Sequence, residues 1–559
     1  MKILLSFMLS VLLLGFLVKP SLATSDPLSV SNNVFGIHVI DENDLIDAAK
    51  LVNGNGGEWG YVTLVIREED RDTSKWQRIF DKMRELKLIP IVRLATYAEE
   101  QNWAKPKAED VDSWVIFLSS LNWVVKNRYV ILFNEPNHSN EWGGTVSPEE
   151  YAKIVRVFYD SLKDASGDYF VLPAGFDVSV PNSKTSMDVS LYFKKMHMAE
   201  LGIFKLFDGW SSHSYPNPNF SGSPYKMGRI GVQSYNWEVS YLSRFGLSQD
   251  IPIFITETGW IHKEGKDKKV LGLSSETVGD FFKDAYNNAW NDSRIVAVTP
   301  FVLNYQDKPF DQFSWKKLGQ SEYYPQYDIV QNIPKIKGNP EQVENSTFIE
   351  TDIPDTLISD STYQIYAIFK NTGQSIWGEN YLIDIGDFGK SGEISRTRPL
   401  EDAKVVFSLK TPSKPGVYKV ELQLTNNGKK FGQGHEFAFK VISPVAVKVK
   451  AGVWKNDTNN FYFGVFDGSQ IIESMEVSLS ENTNVELKNV VVGKKYKFGL
   501  SKLYYPTKFE TVKIDEKETE VDFGQLISMD FNGDGQFSIH DVLEGILHPL
   551  KTLKVLNIR

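Results

Sequence analysis

Between about Val34 and Tyr327, short apolar runs alternate with segments whose apolar residues recur every three to four positions. A fully buried strand reads as a short continuous apolar run, whereas a core-facing helix repeats at i, i+3 and i+4. By the first pattern, Val34 to Ile40, Gly60 to Ile66, Leu88 to Ala95, Arg128 to Asn134, Tyr169 to Phe176, Phe207 to Tyr215, Ile251 to Glu257 and Arg294 to Asn304 are predicted strands. By the second, Trp76, Ile79, Phe80, Met83 and Leu86 share one helical face, as do Val111, Trp114, Val115, Leu118 and Leu121. Ser147-Pro148-Glu149-Glu150 opens a further helix, with Ser147 as N-cap, Pro148 in the first turn and Glu150 completing a capping box. Strands alternating with helices predict a parallel sheet. Eight of them within residues 34–330 predict a (β/α)8 TIM barrel, a fold of about 250 residues. No glycine-rich turn follows an early strand, which argues against an open doubly wound sheet.

The pattern changes after about residue 330. Residues 331–347 are polar and carry prolines, and are expected to be a linker. From 348 to 443 the apolar period drops to two, as in Tyr363 to Phe369 and Val417 to Leu422, with turn signals at Asn371-Thr372-Gly373, Pro415-Gly416 and Asn427-Gly428. This predicts a β-sandwich. Residues 444–525 alternate in the same way and predict a second, smaller sandwich without a chemical motif. Residues 526–559 are expected to form a short helical segment. The chain is therefore expected to be multidomain.

The first 23 residues read as an address. Lys2 is a short positive start, Ile3 to Val18 carries no charge, and Ser21-Leu22-Ala23 is a small-x-small cleavage signal. A secretory signal peptide is expected, placing the protein outside the cell or at its surface. The apolar stretch is shorter than the ~20 residues a membrane span needs; left uncleaved, it would be a membrane anchor.

Composition narrows the chemistry. The chain has 559 residues, a net charge of −10, 42% hydrophobic and 24% charged residues, so wholesale disorder is excluded and a nucleic-acid partner is not expected. The absence of cysteine excludes disulfides, thiolate metal sites and a cysteine nucleophile. No His/Asp/Glu cluster in the barrel region has metal-ligand spacing, so no cofactor is expected for catalysis.

Two carboxylates stand out. Val130-Ile131-Leu132-Phe133 runs into Asn134-Glu135-Pro136-Asn137, and Ile253-Phe254-Ile255 runs into Thr256-Glu257-Thr258-Gly259-Trp260. Each Glu lies at the C-terminal end of a predicted strand, the fourth and the seventh. In a parallel barrel all such ends converge on one face. Two carboxyls meeting there suit glycosidic hydrolysis, in which one protonates the leaving oxygen and the other attacks the sugar or activates water.

Asn-Glu-Pro after the fourth strand, with Thr-Glu-Thr-Gly-Trp after the seventh, resembles glycoside hydrolase clan A, of the family 5 and family 39 type. The resemblance covers about residues 34 to 330. It implies a retaining enzyme acting on a polysaccharide or oligosaccharide, with Glu135 as acid/base and Glu257 as nucleophile. It also implies that Asn134 holds the sugar 2-hydroxyl, that Tyr215 in Ser212-His213-Ser214-Tyr215-Pro216 orients the nucleophile, and that His213 contacts substrate. An arginine is expected beside the nucleophile; Arg67, ending the second strand, and Arg93, on the third, both qualify. Trp142, Trp260 and Trp315, in or beyond the loops after strands four, seven and eight, are candidates for stacking on sugar rings.

Asn371 to Trp377 (N-T-G-x-x-x-W) and Pro412 to Tyr418 (P-x-K-P-G-x-Y) resemble an Ig-like module. The 444–525 segment looks like a carboxypeptidase-regulatory or bacterial Ig-like module. Asp530, Asn532, Asp534 and Asp541 occupy positions 1, 3, 5 and 12 of a calcium loop, with Gly535 at the sharp turn and Gln536 offering its carbonyl. The loop resembles a single dockerin repeat, which implies structural calcium and a cell-surface or cohesin-like partner; a full dockerin carries two. The function expected is that of a secreted glycosidase. A non-catalytic carbohydrate-binding or adhesion protein and a transglycosylase using the same residues are the rivals.

Overall fold

The computed structural model describes residues 24–267, 272–453, 460–480 and 483–555. The expected signal peptide lies outside the described residues. Among those described, no helix is long and apolar enough to cross a membrane. The chain divides into two units, the first ending at Val343 and the second beginning at Glu344.

The first unit alternates strand and helix throughout. Its barrel strands are β1 (Gly36–His38), β2 (Gly60–Arg67), β3 (Leu88–Ala95), β4 (Arg128–Leu132), β5 (Tyr169–Pro173), β6 (Trp210–His213), β7 (Ile253–Glu257) and β8 (Ile295–Val298), and a short hairpin, Ala98–Glu99 with Asn102–Trp103, follows β3. The helices following them are α1 (Leu45–Val52), α2 (Thr73–Glu85), α3 (Val111–Ser120), α4 (Pro148–Ala165), α5 (Val189–Ala199), α6 (Ser234–Leu242), α7 (Ser275–Asn287) and α8 (Pro325–Gln331). Strands β1 to β5 form one parallel sheet and β6 to β8 another. Parallel bridges Phe35–Val298 and Asp177–His213 close the two seams, giving a ring of eight strands.

Burial on both faces explains why these strands read as continuous apolar runs. Residues 253–257 and 169–173 are buried throughout. Inside the ring, Tyr129 of β4, Phe170 of β5 and Phe254 of β7 meet with ring centroids 5.1–5.6 Å apart, joining strands that are not all neighbours. Helix α2 buries the expected face of Trp76, Ile79, Phe80 and Met83, and Asp72 caps it by accepting from Lys75 N. At α4, Ser147 Oγ accepts from Glu150 N at 3.4 Å, but the Glu150 carboxylate goes to Lys105 and to Trp142 Nε1, so only half of the expected capping box forms.

Residues 331–343, expected to be part of a linker, are tied to the barrel instead. Lys335 Nζ donates to the carbonyls of Val330, Gln331 and Ile333, closing the C-terminus of α8. Lys126 N donates to Glu341 O at 2.8 Å, and Gln342 Nε2 donates to Val124 O at 2.8 Å. Polar composition here reflects a strap whose hydrogen bonds go to loops, not to a strand ladder.

The second unit holds two hydrophobic cores, each shared by two sheets. The first four-stranded sheet uses β9 (Ser346–Thr351), β11 (Thr362–Asn371), β13 (Gly389–Lys390) and β14 (Asp402–Lys410). Its partner uses β10 (Thr356–Ile358), β12 (Tyr381–Asp384), β15 (Gly416–Asn426) and β16 (Lys429–Ile442). Trp377, Phe369, Val405 and Leu422 lie in the core between them. The next pair of sheets combines β17 (Val445–Val453), β20 (Thr483–Leu487) and β23 (Thr519–Leu526) with β18 (Asn460–Asp467), β19 (Gln470–Ser478), β21 (Lys495–Lys502) and β22 (Tyr505–Lys513). Tyr363 OH donates to Val490 O at 3.1 Å, and Ile358 packs into the second core, so the two modules are joined. Helices α9 (Ile539–Leu547) and α10 (Pro549–Val555) follow.

Barrel closure depends on a bare backbone at β1. A methyl group on Gly36 would lie 2.6 Å from Thr299 Cγ2 and 2.9 Å from Tyr61 O. Gly36→Ala is expected to destabilise the fold by about 1–3 kcal/mol, read as a lower urea midpoint of barrel unfolding in the full chain. An unchanged midpoint would show that the β1–β8 seam is loosely packed.

Candidate active site

Parallel strands put all eight C-terminal ends on one face, and the two glutamates meet there. Glu257 is the last residue of β7 and is buried. Beyond β4 the chain turns through two left-handed residues, Phe133 (φ 73°) and Glu135 (φ 28°). Such backbone is rare outside glycine and gathers at functional sites. Glu135 N donates to Gly175 O at 3.1 Å, which holds that turn in place.

The side chains form one connected network. Arg93 Nη1 donates to Glu257 Oε1 at 2.5 Å and to Asn134 Oδ1 at 2.6 Å. Tyr215 OH donates to Glu257 Oε2 at 3.1 Å. His213 Nδ1 lies 2.7 Å from Glu135 Oε1 and 3.8 Å from Glu257 Oε2. One ligand atom each from Glu135, His213 and Glu257 falls within 4.8 Å of the others. Gly175 makes room for this: a Cβ there would lie 2.0 Å from His213 Cδ2.

Electrostatics separates the groups. Burial opposes the charged form of Glu257, but His213, Arg93 and the Tyr215 hydrogen bond outweigh it and hold the carboxyl well below the usual carboxylate range. Burial also disfavours an imidazolium at His213, yet Glu257 and Glu135 raise its pKa. His38, at the end of β1, is fully buried with neither ring nitrogen hydrogen-bonded. Burial and then Arg93 lower its pKa to about 3, so it stands there as neutral imidazole.

A cleft of about 740 Å³ opens beside this network, lined by His38, Arg93, Trp103, Phe301, Tyr305 and Phe310 among others. Its aromatic walls differ from the three tryptophans expected. Trp142 is buried against Phe133 and Tyr151. Trp260 is buried against Phe282 and donates to Gly222 O, and Trp315 is buried against Phe282. None is placed to stack on a sugar, because each fills the space behind its loop. Arg67 also lies away from Glu257: its side chain is 55% exposed and faces Glu69 at 3.4 Å. Arg93 takes that place. Trp103 and Glu141 escaped the sequence reading as site residues, and the role of His38, which follows the first predicted strand, was left open by it. Trp103 follows the third strand within ten residues, at the face where loops build a site, and that position was the available signal.

Glu135, His213 and Glu257 offer oxygen and nitrogen to a cation, but the Arg93 guanidinium already faces Glu257 and opposes a second positive charge. In the C-terminal loop, Asp530 accepts from Gly533 N, Asp534 N and Gly535 N, and Asp541 accepts from Ser538 N and Asn532 N. Ser538 and Asp541 thereby form a capping box for α9. Asn532 Nδ2 donates to Asp534 Oδ2, and Gln536 N donates to Asp534 Oδ1.

No protein-family model matches the chain, and no curated protein does. Among solved structures it is similar to a GH5_18 from Bifidobacterium longum subsp. infantis, at 12% identity over 59% of this chain and 83% of that one, with a TM-score of 0.37. A β-glucanase from Saccharophagus degradans in complex with cellotetraose is similar at 13% identity, 54% and 86% coverage, and a TM-score of 0.34. An endo-1,4-β-mannanase from Eisenia fetida is similar at 11% identity, 52% and 83% coverage, and a TM-score of 0.32. Likeness at these scores assigns no activity to the chain, which rests on the geometry of its own residues.

The Arg93 contact has a measurable consequence. Arg93→Met is expected to raise the Glu257 carboxyl pKa by about 1–3 units, followed by ¹³C NMR of labelled glutamate. An unmoved titration would mean that Arg93 does not set the charge state of Glu257.

Proposed function

We propose that this chain is a secreted retaining glycoside hydrolase that cleaves β-glycosidic bonds by double displacement. The observation that carries the reading is the approach of Glu135 and Glu257 within 4.8 Å. Retaining enzymes hold their carboxyls about 5–5.5 Å apart, and inverting ones about 6.5–9.5 Å. Arg93 and Tyr215 on Glu257 support an ionised nucleophile. Glu135, with its side chain 21% exposed, is the acid/base. In the first step Glu135 gives its proton to the glycosidic oxygen while a Glu257 oxygen bonds to the anomeric carbon, and the carbon–oxygen bond to the leaving group breaks. In the second, Glu135 takes a proton from water, which attacks the anomeric carbon and frees Glu257. Asn134 holds the 2-hydroxyl, where a hydrogen bond strengthens in the transition state.

The cleft supports a neutral glycan. Its three cations are each paired: Arg67 with Glu69, Lys75 with Asp70, and Arg93 with Glu257. An acidic sugar would have to break one of these pairs. The aromatic walls suit the apolar ring faces of a sugar. Export rests on the first 23 residues. Transfer to a sugar acceptor would use the same residues and would be read from the products.

We also propose that the C-terminal loop holds calcium through Asp530, Asn532, Asp534, Gln536 and Asp541. Asp530 and Asp541 are 1% and 0% exposed, and no described cationic side chain pairs with them or with Asp534. An oxygen-only donor set fits a hard cation.

Glu257→Gln is expected to abolish turnover of soluble β-glucans, mannans, xylans and aryl β-glycosides. Glu135→Gln should lose about 10²–10⁴-fold on poor leaving groups and much less on activated aryl glycosides. Equal, mild losses in both would sink the assignment. For the loop, calcium should raise the melting temperature of the wild type and not of Asp530→Ala; matching curves with and without calcium would refute it.

A further inference from the structure

Glu141 is a third carboxyl at the barrel mouth, and double displacement leaves it without a role. It lies in the loop after β4, where Oε2 accepts from Asn134 Nδ2 at 3.2 Å and Oε1 from Asn140 Nδ2 at 3.3 Å. The other end of the Asn134 amide is held by Arg93, whose Nη1 donates to Oδ1 at 2.6 Å. A guanidinium only donates, so the amide oxygen must face Arg93 and its nitrogen must face Glu141. One N–H of Asn134 is then spent on Glu141, and its second N–H is left for a ligand.

The loop is held firmly enough for this to matter. Trp142, next to Glu141, is buried with ring centroids 6.1 Å from Phe133 and 5.4 Å from Tyr151. Its Nε1 donates to Glu150 Oε2 at 3.3 Å. Ser139 N donates to Thr185 O, and Gly144 N donates to Ser139 O, both at 2.8 Å. The tryptophan expected to meet sugar thus anchors the segment that presents Glu141.

Resting on the glycosidase reading, we propose that Glu141 is a positioning residue: it locks the Asn134 amide against Arg93 and aims the remaining N–H at the sugar hydroxyl beside the reacting carbon. The grip depends on pH. Burial, then the charge of Glu135, pushes the Glu141 carboxyl up to about 7, with Glu257 acting in the same direction and Asn134 and Arg93 against it. A carboxylate accepts more strongly than a carboxylic acid, so the clamp tightens as pH rises through neutrality.

The test compares an aryl β-glycoside with its 2-deoxy counterpart, across pH, for the wild type, Glu141→Leu and Glu141→Gln. Glu141→Leu should lower kcat about 10- to 100-fold on the parent sugar with KM little changed, and leave the 2-deoxy sugar unaffected, since the aimed N–H then has no hydroxyl to meet. Glu141→Gln keeps an acceptor for Asn134, so it should restore most of that loss while erasing the ionisation near pH 7 from the profile. Equal losses on both sugars, or none on the parent, overturn the proposal alone. If Glu141→Leu does not fold, an unchanged pH profile in Glu141→Gln overturns it. A wild type inert on every aryl β-glycoside overturns the glycosidase reading and this proposal together.

Discussion

Two carboxylates within 4.8 Å of one another in a buried barrel mouth repel strongly. Like unit charges about 5 Å apart are worth ~3 kcal/mol at an effective dielectric constant of about 20. The rest of the site answers this constraint. Arg93 faces Glu257, and His213 sits between the two glutamates, so each carboxyl has a cationic or protonatable neighbour. The two are not treated alike. Glu257 receives a permanent cation and a phenol hydrogen bond, whereas Glu135 receives an imidazole whose own charge depends on pH. That asymmetry gives Glu257 a permanent positive neighbour and Glu135 a titratable one.

The barrel was legible because its strands are buried on both faces and carry little else to say. Leu88–Ala95 coincides with its predicted run, and most other strands differ from theirs only at the ends. Helices α2 and α3 were legible for the complementary reason, a single apolar stripe. Helix α6 carried a mixed stripe, in which buried Tyr235, Val239 and Leu242 are interleaved with polar residues. It buries Ser234 and Glu238 four residues apart, and Glu238 accepts from Trp210 Nε1, Ser212 Oγ and Ser234 Oγ. A helix that turns a polar pair toward the core does not announce itself by hydrophobic period.

In the site, the glutamates were legible as strand ends, but depth was not. Arg67 and Arg93 both sit on inner strands of the sheet, and register aligns Arg93 with Val65 and Arg67 with Ala95. Arg67 therefore lies one full pleat higher, out in water, while Arg93 reaches the level of the carboxylates. Composition cannot rank two arginines by height. The tryptophans failed for a similar reason. A ring in a mouth loop either faces the cleft or fills the wall behind it, and the choice depends on three-dimensional neighbours such as Phe282 and Tyr151.

The buried tryptophans also bear on how the site works. Groups that stabilise a transition state do so best when they are held in place before substrate arrives, because no reorganisation is then needed during the reaction. Here Glu135 is fixed by its backbone hydrogen bond to Gly175, Asn134 by contacts at both ends of its amide, and Glu257 by Arg93 and Tyr215. Trp142 and Trp260 pin two of the loops that surround these groups, through hydrogen bonds to Glu150 and Gly222. Aromatic side chains in the outer shell thus serve rigidity, while the cleft itself is walled by Trp103, Phe301 and Tyr305. Anchoring rings are separate from the rings that line the cleft, so the loops around the carboxyls are held by residues that do not wall the cleft.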